Sequence, residues 1–146
     1  MMTTQRKMIL GVVAIILMIV AEVGPRIERH WAGPEEARVV VLYDTKQAMS
    51  FPQGQKDLLT SADFRAWVGA HYAPVDGVPA VRLFATSIDP TEVEADWRPA
   101  VQAAKTWATA HQNQPVIALS MSGKVSVGVL PADEDAAMAW LSRGGK

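Results

Sequence analysis

Apolar and polar positions divide the chain into three stretches. Residues 8–21 (MILGVVAIILMIVA) are apolar without interruption, so a helix there would have no polar side to turn toward water. Residues 24–37 (GPRIERHWAGPEEA) hold no sustained period, and Gly24, Pro25, Gly33 and Pro34 interrupt any regular element. From residue 38 onward, short apolar runs alternate with helical stripes.

Residues 38–43 (RVVVLY) form a β-branched run that is apolar on both faces, as a central strand requires. Residues 44–60 (DTKQAMSFPQGQKDLLT) are expected to form a long exposed loop, because Phe51-Pro52-Gln53-Gly54 breaks a helix there. Residues 61–72 read as a helix with Ser61 as N-cap and Phe64, Trp67, Val68 and His71 on one face. A second strand, 80–87, follows Val78-Pro79. Residues 96–111 give the clearest helix, with Trp97, Val101, Ala104, Ala108 and His111 in one stripe and Pro99 tolerated in the first turn. The strand 115–121 leads through the two-residue turn Ser122-Gly123 into 124–130, where Val125, Val127 and Val129 share a face. Residues 133–142 close the chain as a helix, with acids in its first turn and Arg143 and Gly144 at its end. The resulting order is β-α-β-α-β-β-α. It predicts an α/β domain on a mixed sheet, the early strands parallel through a helical crossover and the last two an antiparallel hairpin.

Charge decides what the apolar stretch does. Arg6 and Lys7 precede it, Glu22 ends it, and Val23 extends it. The run is short for the roughly 30 Å hydrocarbon core, but Lys7 can snorkel. Ala21-Glu22-Val23 is a poor cleavage site, so residues 8–23 are expected to be an uncleaved transmembrane signal anchor. The basic flank places residues 1–7 in the cytoplasm, residues 24–37 as a linker, and the C-terminal domain outside the cytoplasm. The protein is thus expected to be a single-pass protein of the cell membrane, with Trp31 near the membrane interface. A net charge of −1 argues against nucleic acid as a partner, since phosphates need a basic face. The absence of cysteine excludes disulfides, thiolate metal sites and cysteine nucleophiles.

Gln114-Pro115 opens the third strand of the domain and Ser122-Gly123 closes it. With the element order, this spacing resembles the thioredoxin-like fold across residues 38–143, leaving 144–146 as a tail. The resemblance implies a cis Gln114–Pro115 bond shaping a groove that pairs with an extended peptide. The place of the family's Cys-x-x-Cys falls near Gln47-Ala48-Met49-Ser50, where neither end is cysteine. Disulfide exchange needs a thiolate, so a domain of this kind would be redox-inactive.

The remaining chemistry is sparse. His30, His71 and His111 lack metal-binding spacing, and the last two read as helix ends. Glu92, Glu94 and Asp96 read as partners of a helix N-terminus rather than an acid/base pair. Trp67, Trp97, Trp107 and Trp140 are expected mainly in the core, Trp107 lying partly off its stripe. No G-x-S-x-G elbow is present, and Ser122-Gly123-Lys124 lacks the upstream glycines of a phosphate loop. These observations favour a protein-binding or adaptor module that is not an enzyme and uses no cofactor or metal. Its candidate contact residues are Gln47, Ser50, Phe51, Gln114 and Pro115. Two alternatives stand beside it. One is a structural subunit of a membrane complex. The other is a serine-based glutathione-using enzyme, in which Ser50 orients a thiol and only Lys46 and Gln114 could clamp the tripeptide.

Overall fold

The computed structural model describes residues 36–146. Its centre is strand β1, Ala37–Tyr43, most of whose side chains are buried. β2 (Val81–Ala85) pairs with it in parallel, and β3 (Val116–Met121) lies antiparallel on its other side. β4 (Lys124–Val129) continues the sheet beyond β3, giving the order β2-β1-β3-β4. The four-stranded mixed sheet and the β-α-β-α-β-β-α order expected from the pattern are therefore present.

Alternation along β1 explains why helices occupy both faces. Val39 and Val41 point to one face and Val40 and Leu42 to the other, all of them buried. Burying such a side chain stabilises by roughly 1.5–3 kcal/mol, so neither face can be left in water. The first face is covered by α1 (Gln53–Thr60), α2 (Ala62–His71) and α4 (Glu134–Ser142), which bring Leu58, Phe64, Val68 and Leu141 onto it. The second is covered by α3 (Arg98–Ala110), through Ala100, Val101, Ala104 and Ala108.

Local chemistry sets the boundaries. Ser61 Oγ accepts a 2.9 Å bond from Phe64 N, the cap its sequence suggests, and Asp133 Oδ1 accepts one of 2.9 Å from Ala136 N, so that Asp133 is an N-cap rather than part of the first turn. Ser122 and Gly123 have φ of 53° and 74°. Two successive left-handed residues are what a two-residue hairpin turn demands.

Three expectations need correction. Residues 44–60 are not one long loop: a 3-10 turn at Ala48–Ser50 is followed by α1. Pro52 does not break that helix but stands at its N-cap, where its missing N–H costs nothing. His71 and His111 do not join the buried stripes. Each is exposed and stacks on the tryptophan one turn earlier, with ring centres 4.0 Å apart for Trp67–His71 and 3.8 Å for Trp107–His111. Each Nδ1–H donates to that tryptophan's carbonyl, at 2.8 Å and 2.7 Å, which holds the imidazole against the last turns of its helix. Glu94 and Asp96 do not serve a helix start, since α3 begins at Arg98; they face arginines of the sheet instead.

The expected cytoplasmic segment 1–7, anchor 8–23 and nearly all of the linker 24–37 lie outside the described residues. Among the described residues, no helix is long and apolar enough to cross a membrane.

Candidate functional site

Antiparallel pairing of β1 with β3 brings the C-terminal end of one beside the N-terminal end of the other, with Leu42 opposite Val116. The chain leaving Tyr43 and the chain entering at Gln114-Pro115 therefore meet at one end of the sheet. Past Tyr43 the backbone turns at once: Asp44 Oδ1 accepts from Lys46 N at 2.9 Å, and Asp44 O accepts from Gln47 N at 3.0 Å. The Ala48–Ser50 turn follows. Phe51 then drops into the core, only 9% exposed, its ring edge-on to Tyr43 with centroids 6.4 Å apart.

A relay of hydrogen bonds fixes the floor of this end. Gln55 Nε2, on α1, donates to Leu130 O at 2.8 Å, and Leu130 N donates to Pro115 O at 2.8 Å. The loop side, the start of β3 and the end of β4 are thereby held in one arrangement. Gln47, Ser50 and Gln114 stand exposed around it, and Pro115 is half-buried. Gln47 and Ser50, in the chain leaving β1, and Gln114 and Pro115, in the chain entering β3, thus form a rim at this end of the sheet, while Phe51 is buried. Tyr43 and Gln55 were not singled out from the sequence. Gln55 lies on α1, a helix that the apolar pattern does not predict.

The expected cis Gln114–Pro115 bond is absent; no cis peptide occurs among the described residues. The reversal from α3 into β3 is made instead by Gln112 and Asn113, with φ of 60° and 57°. Asn113 N donates back to Ala108 O at 2.8 Å, which closes the helix end. Residues with short polar side chains such as Asn tolerate this left-handed geometry better than most.

No family model, curated protein or solved structure matches this chain. Function must accordingly be argued from the side chains themselves. Ser50 Oγ donates to Gln47 O at 2.7 Å, and among the described residues no histidine, lysine or carboxylate is hydrogen-bonded to it. A serine nucleophile needs such a base. The rim is otherwise made of neutral amides, able to donate and accept without transferring a proton. The described residues contain no group of three or more His, Asp or Glu placed to hold a metal ion.

The stronger electrostatics lie elsewhere on the sheet. Arg82 Nη1 lies 2.6 Å from Glu94 Oε2, and its guanidinium covers Phe84 and Trp97 at 4.8 and 5.2 Å from the ring centres. The hydrogen bond from Arg82 holds the Glu94 carboxyl below its usual range. The Thr91 backbone N–H does the same for Asp89, which caps the 3-10 turn Pro90–Glu92. Arg38 reaches Glu36 at 3.0 Å and Asp96 at 3.6 Å. The Arg38–Asp96 and Arg82–Glu94 pairs join strands to the segment before α3, and all three pairs are exposed on their acidic side, so they organise a surface rather than form a reaction centre.

Proposed function

We propose that this protein is a redox-inactive thioredoxin-like domain, held at a membrane by residues 8–23, that binds a protein partner as an adaptor. The observation that carries the reading is the rim at the β1–β3 end of the sheet. Exposed amide and hydroxyl groups of Gln47, Ser50 and Gln114 surround a floor fixed by the Gln55–Leu130–Pro115 relay. A preorganised neutral polar surface suits recognition, because the groups that make contacts are already placed and little ordering remains to be done on binding.

The sheet order β2-β1-β3-β4, parallel in its first pair and antiparallel in the rest, supports the thioredoxin-like part of the proposal. The trans Gln114–Pro115 bond departs from that family's pattern. Partner contact is therefore assigned to side chains of the rim, not to a backbone groove beside a cis-proline. The anchor rests on the apolar run 8–21 and its basic flank.

The test is capture of a partner from solubilised membranes by the full-length chain, compared with Gln114→Arg. Gln114 is exposed, and substitutions at such positions usually shift stability by about 0.5 kcal/mol or less. The expected result is loss of capture with an unchanged melting curve. Capture that survives both Gln114→Arg and Gln47→Arg would overturn the rim as the contact surface. Co-purification in a larger membrane complex that survives those changes would favour a structural subunit.

A further inference from the structure

The hydrogen bonds between β1 and β2 fix which backbone groups of β2 face outward. Val39 N bonds to Ala80 O at 2.6 Å, and Thr86 N bonds to Tyr43 O at 3.1 Å. In a parallel ladder of this register, residues 80, 82, 84 and 86 turn their backbone groups toward β1. Val81 and Leu83 turn theirs away, and β2 is an edge strand. Among the described residues, nothing is hydrogen-bonded to the N–H or C=O of either. An edge of this kind is a template for another strand unless it is guarded.

Alongside that edge runs an open groove of about 590 Å³ between β2 and α2. Its strand side is formed by Pro79, Val81, Arg82 and Leu83, and its helix side by Arg65, Ala66 and Gly69. A Cβ built on Gly69 would meet nothing within 4 Å, so the helix side stands clear of the strand. Arg82 lines the groove as well, but its guanidinium is already paired with Glu94 and lies over Trp97. The unpaired positive charge beside the groove is therefore that of Arg65, an exposed side chain with no ion pair among the described residues.

We propose that the β2 edge and this groove bind an extended acidic peptide segment, which adds to the sheet as a fifth strand and sets a carboxylate against Arg65. Backbone pairing with Val81 and Leu83 supplies affinity that depends little on sequence, and alternate side chains entering the groove supply selectivity. Arg65 selects the sign of charge, because a lysine or arginine opposite it would be repelled. This inference shares with the proposed function only the premise that the domain binds proteins, and it places the contact on a different edge of the sheet.

The test uses the full-length, isotope-labelled chain in nonionic detergent. The probes are two labelled eight-residue peptides that alternate valine and threonine, one carrying two glutamates and the other two lysines. The glutamate peptide is expected to bind at least about tenfold more tightly, a difference of about 1.4 kcal/mol. Arg65→Glu should invert that preference. On binding, amide exchange at Val81 and Leu83 should slow, while Arg82 and Phe84, already bonded to β1, should not change. Equal binding of the two peptides, no binding, or binding that leaves Val81 and Leu83 unprotected would overturn the proposal. So would protection of those amides that rises with protein concentration without peptide, which would identify a second copy as the occupant. Peptide failure beside Gln114-sensitive capture would remove this inference alone. Peptide binding beside capture indifferent to Gln114 would remove the earlier reading alone.

Discussion

The two faces of the sheet solve the same burial problem differently. One is covered by three short helices whose bulky side chains, Phe64, Leu58 and Leu141 among them, fill the space over β1 and β3. The other is covered by the single helix α3, which lays Ala100, Ala104 and Ala108 against Val40, Val116 and Ala118 and places Trp97 over the β2 end. A lone helix can seal a face only by lying close, which small residues permit. A group of helices leaves wider gaps that only large residues fill. The difference teaches that the faces should fail in opposite ways, the first when volume is removed and the second when it is added.

The largest effect should come from removing volume on the three-helix face. Phe64→Ala empties a site that is 2% exposed, and buried aromatic truncations cost about 3–5 kcal/mol. Chemical denaturation of the full-length chain in detergent checks it; a loss under about 1 kcal/mol would show that face to be loosely filled. The next effect should come from adding volume on the other face. Ala104 is fully buried, and Ala104→Leu should cost about 1–3 kcal/mol by forcing α3 off the sheet. An unchanged denaturation midpoint would mean α3 does not lie close, and the contrast would fail.

The smallest effect concerns the charged pair at the Trp97 end. The Glu94 carboxyl is held below its unfolded range by Arg82. The contact therefore contributes above the ordinary carboxylate range and is lost as pH falls through the lowered folded value. Both partners are substantially exposed, so the contribution is modest and screened by salt. Glu94→Gln should lower the neutral region of a melting-temperature profile slightly and leave its acid end unchanged, so that the acid limb is a little flatter. A profile identical to the parent's would show that the pair adds nothing to the folded state.

Which features were legible in the sequence follows from the range of the forces that make them. All four strands, α2, α3 and α4 lie within about two residues of their predicted bounds, because β-branched runs, amphipathic stripes and the Ser61 cap are local signals. Helix α1 was missed for a tertiary reason. Pro52 and Gly54 read as breakers, yet Gly54 is where α1 approaches the 131–133 segment so closely that a Cβ would collide with Ala132 O. Only the folded neighbour explains that glycine. The candidate rim was partly legible: residues 47–50 follow β1 and residues 114–115 open β3, and the antiparallel pairing of those strands brings both segments to one end of the sheet. The cis bond did not follow, because its isomer depends on how the preceding turn is made, and here left-handed Gln112 and Asn113 make it. The open β2 edge became visible only from hydrogen-bond parity, which no residue type announces.

The Ser122-Gly123 turn also has a consequence in time. It joins β3 to β4 across the shortest of connections, so their pairing starts without closing a long loop. Pairing of β1 with β3 must instead bring together segments from opposite ends of the domain, as Val39 opposite Leu119 shows. Contacts distant along the chain form slowly because loop closure precedes their reward. The hairpin should therefore be the early event in folding and the docking of β1 the late one. Gly123 sits at φ 74°, where a Cβ is unfavourable. In stopped-flow experiments Gly123→Ala should slow refolding and hardly alter unfolding, whereas Val39→Ala should chiefly hasten unfolding. The reverse assignment of the two rates would mean that β1 is recruited first and the turn closes last.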